Sequence, residues 1–235
     1  SVRTSFYNEY KKMENVTTVS ITAFSDDDLK DIMSKNNLTD FSVSYAVNGN
    51  FDTSVLGDLQ ELKRLGISIR YSGKTFTHLT ESLSKLTNLT DLDIRADKLS
   101  FTDSLIPDEI KPQLTDLSIS QWRSTPEEAG SLDFSQYTSL GALNLSTSLS
   151  KVTGLEQLQN LYNIRIENNT SEKAEISGLP ANNNLSRIRL LNCDIKSLKT
   201  YGIDKLTKLW QLEVGNCGLE SVEGIEKLTH LSDLQ

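Results

Sequence analysis

Apolar and polar residues alternate in short stretches along most of the chain, and the stretches return at a nearly constant interval. From Leu86 to Ile94 the order is L-T-N-L-T-D-L-D-I, and from Leu206 to Val214 it is L-T-K-L-W-Q-L-E-V. Such alternation predicts a strand with one apolar face. The inward pairs are Val19/Ile21, Phe41/Val43, Leu65/Ile67, Leu92/Ile94, Leu117/Ile119, Leu143/Leu145, Ile164/Ile166, Ile188/Leu190 and Leu212/Val214. Their first members lie 21 to 27 residues apart, and a tenth pair opens at Leu234. One strand per repeat, regained by a crossover of similar length each time, predicts a parallel sheet. At about 4.8 Å between strands, ten coils predict a sheet roughly 45 Å long. Leu65-Gly66-Ile67-Ser68-Ile69 allows two registers, so the third coil is open at this point.

The skeleton L-x-x-L-x-L-x-x-(N/C)-x-L is that of a leucine-rich repeat. A unit of this length buries its apolar residues only against its neighbours, so the units must stack. The expected fold is therefore α/β: a right-handed leucine-rich-repeat solenoid with a parallel concave β-sheet and short helical or 3-10 outer segments. Residues 1–15 are expected to be an N-terminal flank or partial cap, and 16–235 the solenoid of about ten coils, cut within a repeat at its C-terminus. On the return paths, Ser25 followed by Asp26, Asp27 and Asp28 reads as an N-cap and an acidic first helical turn. Ser54–Leu65 and Thr80–Leu86 also have helical spacing. From Leu219 one residue in three is apolar (Leu219, Val222, Ile225, Leu228, Leu231), which suits 3-10 turns. Leu105-Ile106-Pro107 and Thr125-Pro126-Glu127-Glu128 interrupt the pattern and predict bulges on the outer side.

Composition changes this picture little. Only 37% of the 235 residues are hydrophobic and 7% aromatic, which fits a thin leucine seam. No apolar run approaches 18 residues, so no membrane insertion is expected. The chain begins at Ser1 with no signal peptide and ends inside a repeat, so it is expected to be a fragment of a longer protein. A net charge of −8 argues against non-specific binding to nucleic acid or an anionic membrane.

The C-terminal coils resemble the internalin-type repeats of Gram-positive bacterial surface proteins, L-x-x-L-x-L-x-x-N-x-I/L on the strand side and I-x-x-L-x-x-L on the return. Residues 155–235 match closely and 86–99 in part, whereas 1–80 and 100–150 keep the strand skeleton but depart in coil length. The resemblance implies a secreted or wall-attached recognition protein. It also implies that the residue five places after the first core position turns the chain out of the sheet, and that an Asn there satisfies backbone groups of the adjacent coil. That position is occupied by Phe24, Ala46, Arg70, Asp97, Trp122, Ser148, Asn169, Cys193 and Cys217. Asn169 is the expected residue, with the two cysteines as substitutes. Trp122 is expected to fill a bulged turn or to lie on the surface.

Candidate chemistry is sparse. Cys193 and Cys217 are one coil apart, where a disulfide, a metal pair, a reactive thiol or two buried free thiols are all conceivable; parallel side chains make disulfide geometry poor, which favours the thiols. His78 and His230 lie in return segments away from both cysteines. Asp26-Asp27-Asp28 lacks the alternation of a calcium loop. Asn-x-Ser/Thr sequons begin at Asn15, Asn37, Asn88, Asn144, Asn168, Asn169 and Asn184, as an Asn- and Thr-rich chain produces by accident. No nucleophile, metal-protease or phosphate-loop motif is present, so a non-enzymatic protein without cofactor or metal is expected.

The outward side chains beside the core positions remain. They are acidic at Asp91, Asp93 and Asp116, relieved by Arg95, and then basic at Arg165, Arg187 and Arg189. Tyr162 and Trp210 flank these arginines, with Glu167 and Glu213 nearby. Arg and aromatic residues on a rigid face dominate protein-binding hot spots, so Tyr162, Arg165, Arg187, Arg189, Trp210 and Glu213 are the candidate partner-binding residues. The competing reading is that Arg and Glu on neighbouring coils merely pair with each other in solvent. Two functions stay open: a bacterial extracellular or cell-wall adhesion module, monomeric, binding a protein ligand through its concave face; or the recognition or regulatory domain of a larger intracellular protein or effector whose catalytic part lies outside this fragment.

Overall fold

Wherever apolar and polar residues alternate, the chain is extended and pairs with the next repeat. The structure, a computed structural model, describes residues 8–35, 37–71, 73–97, 99, 102–121, 129–181 and 184–235. The chain divides into two compact units, Ser1–Leu99 with Ser104–Ile110, and Ser100–Asp103 with Lys111–Gln235. Strands are numbered along the chain. In the first unit β1 (Thr18–Ala23), β2 (Asp40–Tyr45), β4 (Arg64–Ile69) and β6 (Asp91–Arg95) lie side by side in that order, all parallel. In the second unit β7 (Asp116–Ser120), β9 (Ala142–Thr147), β11 (Asn163–Asn168), β13 (Arg187–Leu191), β14 (Gln211–Gly215) and β15 (Asp233–Leu234) do the same.

The register aligns core with core. Phe41 stands opposite Leu65 and Leu65 opposite Leu92; Leu143 stands opposite Ile164, Ile164 opposite Ile188, and Ile188 opposite Leu212. This settles the third coil: Leu65, Ile67 and Ile69 point inward, and Gly66 and Ser68 outward. Most inward pairs are fully buried. Ile21 and Val214 are only half-buried. Ile21 lies on the outermost described strand, and the pairing of β14 with β15 stops at Leu212, short of Val214. Leu234 takes its place opposite Leu212 and is 58% exposed.

Helices are short, as the spacing predicts. Helix α1 (Asp26–Met33) starts where Ser25 Oγ accepts the Asp28 amide at 3.2 Å, with three aspartates in its first turn and Leu29, Ile32 and Met33 buried. Helix α2 (Leu79–Ser84) replaces the expected Thr80–Leu86 with a small shift. The expected helix over Ser54–Leu65 is a single 3-10 turn, Ser54–Asp58. Gly57 weakens a longer helix there, and β4 already begins at Arg64. Further 3-10 turns occupy Leu155–Gln157, Ile203–Lys205 and Ile225–Lys227. Around Leu105–Pro107 the chain is irregular, with Ile106 and Ile110 buried; residues 125–128 lie outside the described residues.

Small outer strands were not foreseen. β3 (Phe51–Asp52) pairs with β5 (Phe76–Thr77) in the first unit. In the second, β10 (Leu149–Thr153) pairs with β8 (Gly130–Asp133) and with β12 (Glu175–Ile176). Val152, opposite both Leu132 and Ile176, stacks the outer sheet on the same core.

The turn out of the sheet needs a correction. On most strands through β11 the fourth residue after the first core position is buried, at Ala23, Tyr45, Ile69, Ala96, Thr147 and Asn168, with Gln121 half-buried. The fifth is exposed at Phe24 (72%) and half-buried at Asn169, although Asp97 and Ser148 are buried beside the fourth. Asn168 is therefore the ladder asparagine. Its Oδ1 accepts the buried Leu149 amide of the preceding coil at 2.9 Å, and its Nδ2 donates to the Glu172 carbonyl at 2.6 Å and toward the Asn192 carbonyl of the next coil at 3.4 Å. Simple alternation carries the fourth residue inward. After β13 and β14 the fifth residue takes the inward place of the fourth, where the preceding residue adopts a left-handed conformation, at Asn192 (φ 57°) before Cys193 and Asn216 (φ 51°) before Cys217. Trp122 lies outside the described residues.

Both cysteines are free and buried, at 0% and 2% exposure. The Cys217 thiol donates to the Leu190 carbonyl at 3.2 Å, and that of Cys193 to the Leu191 carbonyl at 3.5 Å. Contact with the Cys217 thiol, together with burial, pushes the Cys193 thiol well above its ordinary pKa. Because both are buried, the two thiols should label only as fast as the protein unfolds. Cys193→Ala should lower stability by about 1–3 kcal/mol in chemical denaturation. Prompt labelling of the native protein would contradict this placement.

Candidate functional site

Because the inward residues of β11, β13 and β14 are locked in the seam, their alternate residues stand on a rigid outward face. The register sets Asn163 beside Arg187 and Arg187 beside Gln211 in one row, and Arg165 beside Arg189 and Arg189 beside Glu213 in the next. Two like-charged arginines on adjacent strands repel unless something lies between them. Glu167 does: its Oε1 is 2.7 Å from Arg165 Nη2 and 2.6 Å from Arg189 Nε. Arg189 Nη1 then reaches Glu213 Oε2 at 2.8 Å. The carboxylates are the less exposed partners, at 16% and 15% against 38–43% for the arginines. These four residues form a nearly neutral chain of charges, as the pairing reading anticipates.

Arg187 is different. It is exposed, has no ion pair among the described residues, and its guanidinium lies over the Trp210 ring, 4.8 Å from the centroid. Trp210 is itself 36% exposed and Tyr162 48% exposed. Tyr162 leans the other way, across Gly141, where a Cβ would meet the ring at 2.8 Å. Its hydroxyl donates toward Asp116 Oδ1 at 3.5 Å. Ser186, donating to the Tyr162 carbonyl, holds the position between the two aromatic residues. Behind the arginines is a depression of about 270 Å³ lined by Asn144, Asn163, Gln211 and the three arginines over Ile164 and Ile188. All six candidate residues thus occupy one neighbourhood. Asn144, Asn163 and Gln211 were missed as members; their outward position on the same strands was the available signal.

Burial raises the Glu167 pKa, but Arg165 and Arg189 outweigh it and hold the carboxyl below its ordinary value. In the first unit the Arg64 hydrogen bond likewise holds Asp40 down, and Arg95 pairs with Asp93 at 2.6 Å. Among the described residues no group of three or more His, Cys, Asp or Glu could hold a metal ion, and no helix is long and apolar enough to cross a membrane.

No family model matches the chain, and no curated protein does. Solved structures do. An internalin from Listeria monocytogenes is 14% identical, with a TM-score of 0.50 over 96% of this chain and 76% of that one. A TDR receptor is 15% identical, with a TM-score of 0.50 over 98% of this chain and 49% of that one. A Leptospira interrogans leucine-rich-repeat protein is 16% identical, with a TM-score of 0.43 over 97% and 74%. The repeats, the parallel register and the first two likenesses define the chain as a leucine-rich-repeat solenoid.

A carboxyl with a depressed folded pKa stabilises fully above its unfolded value and loses that contribution as pH falls through the folded one. Acidification from about pH 5 to about pH 3 should therefore destabilise the protein partly through Glu167. Glu167→Gln should be less stable than wild type at neutral pH and should show a shallower loss of stability over that interval in denaturation curves. Parallel curves would remove Glu167 from the acid response.

Proposed function

We propose that this chain is a non-enzymatic protein-binding module of the internalin-like kind, from a Gram-positive bacterial surface or secreted protein. It acts outside the cell, as a monomer without cofactor or metal, in adhesion or host interaction. Tyr162, Arg165, Arg187, Arg189, Trp210 and Glu213 are its contact surface, within a solenoid of residues 16–235 flanked by 1–15. The observation that carries this reading is the Arg187–Trp210 pair: a cation stacked at 4.8 Å on a half-exposed indole that the leucine seam does not use. Such residues, desolvated by a partner, supply most of the energy of protein interfaces. The bacterial assignment rests on the repeat skeleton of residues 155–235.

A photo-crosslinking residue placed at Tyr162, and at exposed Val222 on the return side as control, tests the surface against proteins of host cells or neighbouring bacteria. One discrete adduct should form from Tyr162 and none from Val222. Arg187→Ala should weaken that partner by at least about 2 kcal/mol, while losing only the exposed stacking with Trp210, about 0.5–1 kcal/mol of stability. Equal adducts from Val222, or wild-type affinity in Arg187→Ala, would sink the proposal.

A further inference from the structure

Three basic side chains occupy the candidate surface, yet they are not equivalent. Arg165 and Arg189 are engaged by Glu167 and Glu213 at 2.6–2.8 Å, so their charge is already compensated. Arg187 is compensated by nothing among the described residues. Stacking on Trp210 engages only the face of the guanidinium, and stacking leaves the N–H groups along its edge free to donate. A planar donor edge held in one orientation matches a carboxylate, which can accept two parallel hydrogen bonds.

The surroundings favour the same ligand. Asn163 and Gln211 flank Arg187 on the two neighbouring strands and line the same depression of about 270 Å³. The neighbouring carboxylates Glu167 and Glu213 are held by Arg165 and Arg189, and Asp233, next in the row beyond Gln211, accepts the Gln211 amide at 2.8 Å, one strand further from Arg187. A chain of net charge −8 does not attract acidic segments as a whole. Recognition must come from this one uncompensated cation, and at physiological salt charges beyond about 8 Å contribute little.

The geometry points to an acidic polypeptide segment as the occupant, with an Asp or Glu carboxylate seated on the edge of Arg187 beside Trp210. This deepens the protein-binding reading and rests on it. The choice of a peptide over a small anion follows from the setting. The aromatic and amide groups around Arg187 offer contact to the stem and backbone of a segment, which an inorganic anion does not have.

The test uses the full chain and dye-labelled peptides, read by fluorescence anisotropy at about physiological salt, where the net charge of the chain is screened. Hexaglutamate should bind saturably below about 1 mM, and hexaglutamine carrying the same dye should not bind. Arg187→Gln should weaken hexaglutamate at least about tenfold while lowering the melting temperature only by the small amount that losing the exposed stacking on Trp210 costs, since Arg187 makes no ion pair to lose. Arg187→Lys should recover part of the binding, because it restores charge without the planar edge. Inorganic phosphate at the same ionic strength should displace the peptide no better than chloride. The proposal is overturned if hexaglutamate does not saturate, if hexaglutamine binds as well, if Arg187→Gln binds like wild type, or if phosphate competes specifically. A discrete Tyr162 photo-adduct persisting alongside any of these results would leave the interaction surface standing and remove only the carboxylate. Loss of both would remove the surface as well.

Discussion

The rest of the structure depends on one constraint: each inward residue must land on its counterpart in the neighbouring coil. A repeat of about two dozen residues cannot close a core around itself, so Ile164 is covered by Leu143 on one side and Ile188 on the other. The parallel ladder enforces this by pairing positions one to one along β9, β11 and β13. A slip of one residue would send a whole strand's apolar set into solvent. Burying one such side chain is worth about 1.5–3 kcal/mol, and the slip forfeits two or three at once.

The same register decides how the chain leaves the sheet. Alternation alone carries a third residue inward, and Ala23, Tyr45, Ile69 and Ala96 fill that place with plain packing. Asn168 fills it with an amide that serves the backbone of both adjacent coils. Beyond it, Asn192 and Asn216 take left-handed conformations, shift the inward slot by one and deliver it to a cysteine. The Asn216 amide donates to Asn192 Oδ1 at 3.0 Å, and the Asn192 amide to the Asn168 backbone carbonyl at 3.2 Å, so side-chain amides tie the three successive turns together. A small thiol suits the displaced slot because it packs like an apolar group and still reaches a carbonyl.

On the opposite face the register has a different consequence. Side chains free of packing duty are placed about 4.8 Å apart, so charge must be arranged as carefully as volume is inside. Glu167 lets Arg165 and Arg189 stand on adjacent strands, and Arg187 escapes the network only because Asn163 and Gln211 flank it instead of carboxylates. The arginines of one patch thereby have different partners: Arg189 holds two largely buried glutamates, whereas Arg187 lies over an exposed ring.

Strand positions, parallel pairing, the N-cap at Ser25 and the outward face were all legible in the sequence, because period-two alternation at a fixed interval has one packing solution. The same alternation, carried one step further, places Ala23 and Asn168 inward. The choice between registers at Leu65–Ile69, the reduction of Ser54–Leu65 to one turn and the outer strands around Val152 needed the neighbouring coil, since each depends on what a segment packs against. Which arginine is compensated also required the tertiary structure. Ion pairs form across strands some 24 residues apart in the chain, and their partners are chosen by side-chain reach in three dimensions, which linear spacing does not encode.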